Sequence, residues 1–254
     1  MAGGELTGRS WRRAILAALL LVPGLIAIHS PVLAAPAADL ADVEARAQYA
    51  YFTEDLRSLE QLTKEIKSWG QSSDGFERYH YAHAKFRLLQ TALATGHAPE
   101  AGNAGQDCVS ALGSHIEEPL VAEALVLSGL CQGFGGSLSG LRKALSGAHR
   151  LEPRNPRVML GEAYAESLSD PSGAIRARTL TALKEAAAAF DKVIAGAPGA
   201  PTWGSAEAWL LLGQGLARSG DEFAARNAFE RCLVIAPDFH AARRSLTALG
   251  VGAR

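Results

Sequence analysis

Apolar residues along this chain return at three- and four-residue intervals, and no segment sustains the strict alternation of a half-buried strand. Leu56, Leu59, Leu62 and Ile66 make one such series, and Tyr79, Tyr81, Phe86 and Leu89 mark a longer one. The pattern predicts an all-α chain. Helices are expected over about 41–52, along the series from Leu56 to Ile66, and over about 76–95, with a break at the glycines 70–75. A Gly- and Pro-containing loop over 96–105 should then lead into a helix around 108–115.

The most regular stretch is 206–239. Trp209, Leu212, Gly213, Leu216, Gly220, Ala225, Phe229, Cys232 and Pro237 follow one another at spacings that suit two antiparallel helices joined by a tight turn. Gly213 lets the helix backbones approach, and Gly220 supplies the turn. Ala225 and Cys232 are small where helix meets helix, and Pro237, lacking an N–H, ends the second helix. With Trp209 as the fourth position of a 34-residue unit, the stretch resembles a tetratricopeptide repeat (TPR), Leu216 replacing the usual Tyr and Cys232 the usual Ala. The resemblance implies an α/α superhelical solenoid of TPR-like helix pairs, because one repeat cannot bury its apolar face alone.

The 24-residue interval from Gly213 to Pro237 recurs from Gly129 to Pro153, with Gly136 at the turn and Ala148 at the late small position, which gives a repeat over 122–155. Leu160, Gly161, Tyr164, Phe190 and Pro198 outline another over 156–200, but its interval is 37 residues. The extra 13 are assigned to 168–180, with Asp170, Pro171, Ser172 and Gly173 as a turn and a second helix lengthened over 174–195. Cutting out 171–183 should on this reading leave the array folded. Residues 35–121 then form an N-terminal helical region of degenerate repeats or a cap, and 240–254 a C-terminal capping helix. More loosely, 121–198 resembles exported bacterial TPR proteins.

Residues 1–34 break the pattern. Arg9, Arg12 and Arg13 precede an apolar run over 14–28, and Val32 and Ala34 form a small pair before a cut, the order of a cleavable secretory signal. The alternative, an uncleaved anchor, needs about 20 apolar residues, and Pro23 and Gly24 interrupt the run. Arg12 and Arg13 leave Sec and twin-arginine export both open. The expected location is the periplasm or outside the cell. The full chain of 254 residues has a net charge of −1. Loss of residues 1–34 leaves 22 basic against 25 acidic groups, a mildly acidic chain that does not suit nucleic acid and keeps no membrane span. An exported chain can form disulfides; Cys108 with Cys131 is one option, and packing of the cysteines as small apolar residues is the other.

Candidate chemistry is sparse. Gly133, Gly135, Gly136 and Gly140 are interleaved with serines, but no strand precedes them and no Lys-Ser pair follows, so a turn between paired helices is expected rather than a phosphate loop. His80 and His83, with Glu77 upstream, lie at a metal-compatible spacing, yet no third ligand follows and Tyr79 and Tyr81 suggest an aromatic seam. There is no GxSxG elbow and no Cys with an activating neighbour. Neither a catalytic activity nor a cofactor or metal is therefore expected.

What remains is surface. The TPR resemblance implies that a concave wall is built from Glu123, Val126, Leu130, Asn155, Val158, Glu162, Glu207, Leu210 and Gln214. That wall is mixed apolar and acidic, and it lacks the Lys and Asn pattern that clamps carboxylate termini. Arg176, Arg178 and Lys184 stand on the inserted segment as a basic cluster. The leading expectation is a non-enzymatic scaffold of the bacterial cell envelope holding a protein or peptide in this groove. The alternative is a small-ligand accessory component of a solute uptake system.

Overall fold

The computed structural model describes residues 37–113, 116, 119–170, 172, 175–191 and 199–252. The expected signal segment, 1–34, lies outside the described residues. The all-α expectation holds, and among the described residues there is no strand. The elements are α1 (Ala37–Phe52), α2 (Leu56–Glu65), a 3-10 helix (Lys67–Gln71), α3 (Gly75–Ala94), α4 (Ala98–Leu112), α5 (Val121–Phe134) and α6 (Leu138–Leu151). They continue with α7 (Pro156–Ser169), α8 (Ala177–Phe190), α9 (Ser205–Arg218), α10 (Glu222–Ile235) and α11 (His240–Gly252). Among the described residues no helix is long and apolar enough to cross a membrane.

Local chemistry sets most of the starts. Asp55, Asp74, Ser137, Asn155 and Asp221 each accept a hydrogen bond from a backbone N–H in the first turn that follows, which satisfies a donor the helix leaves free. Between α5 and α6, and between α9 and α10, the chain turns through Gly136 and Gly220 at φ +95° and +85°, a region costly for any residue with a Cβ. The expected close approach at Gly213 is present, since a Cβ there would lie 2.5 Å from the Phe229 ring.

Consecutive helices pack on one another: α3 on α4, α5 on α6, α7 on α8 and α9 on α10, with α5 also against α7 and α8 against α9. Cys108 of α4 and Cys131 of α5 form a disulfide, their Cα atoms 6.3 Å apart. Cys232 remains a free, buried thiol.

Three expectations change. The loop expected over 96–105 is largely helix, because α4 begins at Ala98 with Pro99 in its first turn, where a missing N–H costs nothing, and Gly105 packs beneath Leu89. The lengthened helix over 174–195 is not formed: α8 has 14 residues, the same as α7, α9 and α10. The added chain lies instead in the connections. Fourteen residues, 191–204, separate α8 from α9 where four, 152–155, separate α6 from α7, and seven, 170–176, separate α7 from α8 where three, 135–137, separate α5 from α6. Last, Ile175 and Leu183 belong to the hydrophobic core and Leu180 packs against it, so cutting out 171–183 would remove core side chains.

Candidate functional site

The expected concave wall is largely interior. Val126, Leu130, Val158 and Leu210 are buried, as are the carboxylates Glu123 and Glu207, while Asn155, Glu162 and Gln214 are partly buried. What covers the wall is the chain itself. Helix α3 is buried along nearly its whole length, and α1 lies against it and reaches the C-terminal helices. Tyr51 and Phe52 meet Phe239, with ring centroids 5.3 and 4.5 Å away, and Arg244 is paired with Glu54.

The connection before α9 completes this filling. Trp203 is 2% exposed; its Nε1 donates to the Tyr79 hydroxyl at 2.9 Å, and its ring stacks on His83 at 5.6 Å. The backbone around it is held by side chains from three helices. Arg157 donates to the carbonyls of Pro201 at 2.7 Å and Trp203 at 2.8 Å. His80 donates through Nε2 to the Gly199 carbonyl at 2.9 Å, and Glu44 accepts from the Thr202 N–H and hydroxyl, both at 2.7 Å. Gly204, at φ +118° with the Phe190 ring 2.5 Å from where a Cβ would stand, admits no side chain.

Two buried ion pairs occupy the places where a groove ligand was expected. Arg87 is paired with Glu207, each 1% exposed, and also donates to Gln48 and Gln90. Arg157 is paired with Glu123 at 3.2 Å, and Asn155 donates to the same carboxylate oxygen at 2.8 Å. Burial, reinforced by the Arg87 charge, holds the His83 imidazole well below its ordinary pKa, and burial lifts the Tyr79 hydroxyl well above its own. His83 therefore stays neutral, and its Nε2 accepts from Arg87 Nε at 3.1 Å. Both imidazoles expected at a metal-compatible spacing are thus engaged in packing. Among the described residues no group of three or more His, Cys, Asp or Glu side chains could hold a metal ion.

The open concavity lies elsewhere. A cleft of about 1060 Å³ runs along α7 between α6 and the start of α8. Its apolar floor includes Leu145, Met159, Ala165, Ile175 and Ala182, and its rim carries Arg142, His149, Arg150, Arg176 and Arg178 with Glu162, Glu166 and Asp170. Glu166 is the fixed point of the rim. It accepts from the Arg176 backbone N–H and Nε, each at 2.6 Å, and from the Thr179 hydroxyl at 2.5 Å. Partial burial would raise its pKa, but the Arg176 and Thr179 hydrogen bonds outweigh it and hold the carboxyl at about 2. These bonds tie the residues before α8 to α7 and keep the mouth of the cleft in shape.

Of the sequence candidates, Arg176, Arg178 and Glu162 line this cleft, Lys184 is exposed and lies outside it, and the other eight wall residues do not reach it. Arg142, His149 and Arg150 on α6 were missed. Their signal was legible: they follow at helical spacing on the polar face of a strongly amphipathic segment, and with Lys143 they form a second basic cluster. Arg87, Arg157 and Trp203 carried no such mark. No family model matches the chain, and no curated protein matches it at a significant level.

Proposed function

We propose that this chain is an exported, non-catalytic scaffold of the bacterial cell envelope, built as a superhelical array of TPR-like helix pairs, that holds a protein or peptide partner. What supports the architecture is the succession of helix pairs α5/α6, α7/α8 and α9/α10, every member 14 residues long, with glycine at the turns of the first and last. One observation carries the site. The inner wall is filled by the chain's own α1, α3 and residues 199–204, while the cleft beside α7 is open and combines an apolar floor with a charged rim. The docking face is therefore the α6–α7–α8 cleft.

Site-specific photo-crosslinking in the producing cell tests this. A crosslinking residue at Ala182, in the cleft, should yield a discrete partner adduct, and the same residue at Arg226, on the exposed face of α10, should not. Absence of an adduct at Ala182, or equal adducts at both positions, refutes the reading. The volume of the cleft also favours a second reading, a small-ligand accessory protein, since it lies just above the range of ordinary ligand pockets, about 300–1,000 Å³. A thermal-shift panel of small solutes, with Ala182→Trp as the filled control, separates the two.

A further inference from the structure

We propose that the α6–α7–α8 cleft takes a short acidic peptide segment, its carboxylates set against Arg142, Arg150 and Arg178 and an apolar side chain on the floor between them. This rests on the reading of the cleft as the docking face and adds the chemistry of the occupant.

The argument is one of charges already matched and charges left over. Among the rim carboxylates, Glu166 is held by Arg176 and Thr179, and Glu162 lies 2.9 Å from His149. Asp170 accepts from the Ser172 N–H and hydroxyl of its own turn, at 2.8 and 2.6 Å. Three guanidiniums have no carboxylate among the described residues. Arg142 donates to the Ser169 hydroxyl at 2.8 Å, Arg150 donates to the Ser146 hydroxyl at 2.9 Å, and Arg178 is exposed with no ion pair. A neutral hydroxyl leaves a guanidinium its full charge and spare donors, and the planar fork matches a carboxylate better than any neutral acceptor. Against these three stand two carboxylates without a permanent cationic partner: Asp170, and Glu162, whose neighbour His149 is a cation only when protonated. The chain as a whole is slightly acidic, so the local excess of free positive charge is not its background.

The floor supplies the rest. Leu145 and Ile175 are buried beneath it, Met159 is half-buried, and Ala165 and Ala182 are small enough to leave room. Met159 and Asp170 stand near the two ends of the cleft along α7, which at helical rise separates them by about 16 Å. An extended segment of about five residues covers that distance. Arg150 is in the last turn of α6, toward the Met159 end, whereas Arg142, bonded to Ser169, is toward the other. A segment with carboxylates near both ends and an apolar residue between them matches this spacing.

A randomised dodecapeptide display library, selected on the immobilised protein and counter-selected on Ala182→Trp, tests the proposal. The filled variant is first shown by circular dichroism and thermal melting to be folded. The expected result is that peptides specific to the wild-type protein are enriched in Asp and Glu. Binding of a representative peptide should weaken about two- to fivefold with Arg178→Gln and more with Arg142, Arg150 and Arg178 all replaced by Gln, and should weaken further as salt is raised. Wild-type-specific peptides without acidic enrichment, or with basic enrichment, overturn the acidic assignment and leave the docking face standing. If no peptide distinguishes the wild type from Ala182→Trp, the docking face itself falls, and the inference with it.

Discussion

Replacing Arg87 with methionine keeps much of the side chain's length and apolar stem while removing its charge and its donors. In the native interior the guanidinium faces Glu207, with both groups 1% exposed, and also donates to Gln48 at 2.5 Å, Gln90 at 2.7 Å and His83 at 3.1 Å. Methionine leaves the Glu207 carboxylate buried, with the Gln48 amide at 3.1 Å and the Gly204 N–H at 3.2 Å as its remaining donors. An ion stripped of its partner in the interior costs about 3–5 kcal/mol. That is a large share of the roughly 5–15 kcal/mol that holds a domain folded. For a chain of this size each kcal/mol moves Tm by about 2–4 °C, so Arg87→Met should melt about 6–20 °C lower. Thermal unfolding followed by far-UV circular dichroism near neutral pH reads this directly. The double variant Arg87→Met/Glu207→Leu removes both charges, and a double-mutant cycle should return a coupling of at least about 2 kcal/mol. The double variant should still fall about 1–2 kcal/mol short of the wild type, because the Gly204 N–H and the Gln48 amide lose their acceptor. A single variant that costs less than about 1 kcal/mol, or a double variant no more stable than the single, refutes the account of a coupled pair closing the inner wall.

Three further outcomes follow from the interior. The Cys108–Cys131 bridge closes a sequence separation of 23 residues, for which the chain-entropy relation gives about 3 kcal/mol. Replacing both cysteines with Ala should lower stability in denaturant by that amount, and a reductant should destabilise the wild type without affecting the variant. Burial pushes the remaining thiol, Cys232, to a raised pKa, so it should resist alkylation until the chain unfolds. His83 contributes to the pH response, because its folded pKa is depressed below the ordinary 6.5. Below 6.5 the unfolded chain binds a proton that the folded one refuses. This contribution to stability is therefore intact above that pH and lost as pH falls below it. Wild-type denaturant midpoints should show that decline, and His83→Gln should flatten it.

Much of the fold was legible because it is written in local chemistry. The helical period of the apolar residues, the Asp, Ser and Asn caps, the left-handed turns at Gly136 and Gly220 and the close contact of Gly213 on Phe229 depend on residues within one helix pair. The class all-α and most helix boundaries follow from them, and the basic stripe of α6 is equally local, although it was missed beside Arg176, Arg178 and Lys184. The sequence by itself could not determine what faces what. Arg87 and Glu207 are 120 residues apart, and Trp203 and Tyr79 are 124 apart. Nothing near Arg87 distinguishes a buried, paired guanidinium from a solvated one, because the cost of burial is offset by partners on other helices. The tertiary structure alone decided that residues 199–204, before α9, turn inward, where Trp203 fills the space that the TPR resemblance reserved for a partner. The open cleft is likewise tertiary: it exists because α8 leans on α7 and α9, leaving the floor of α7 uncovered beside α6, and relative helix placement has no periodic signature in a sequence.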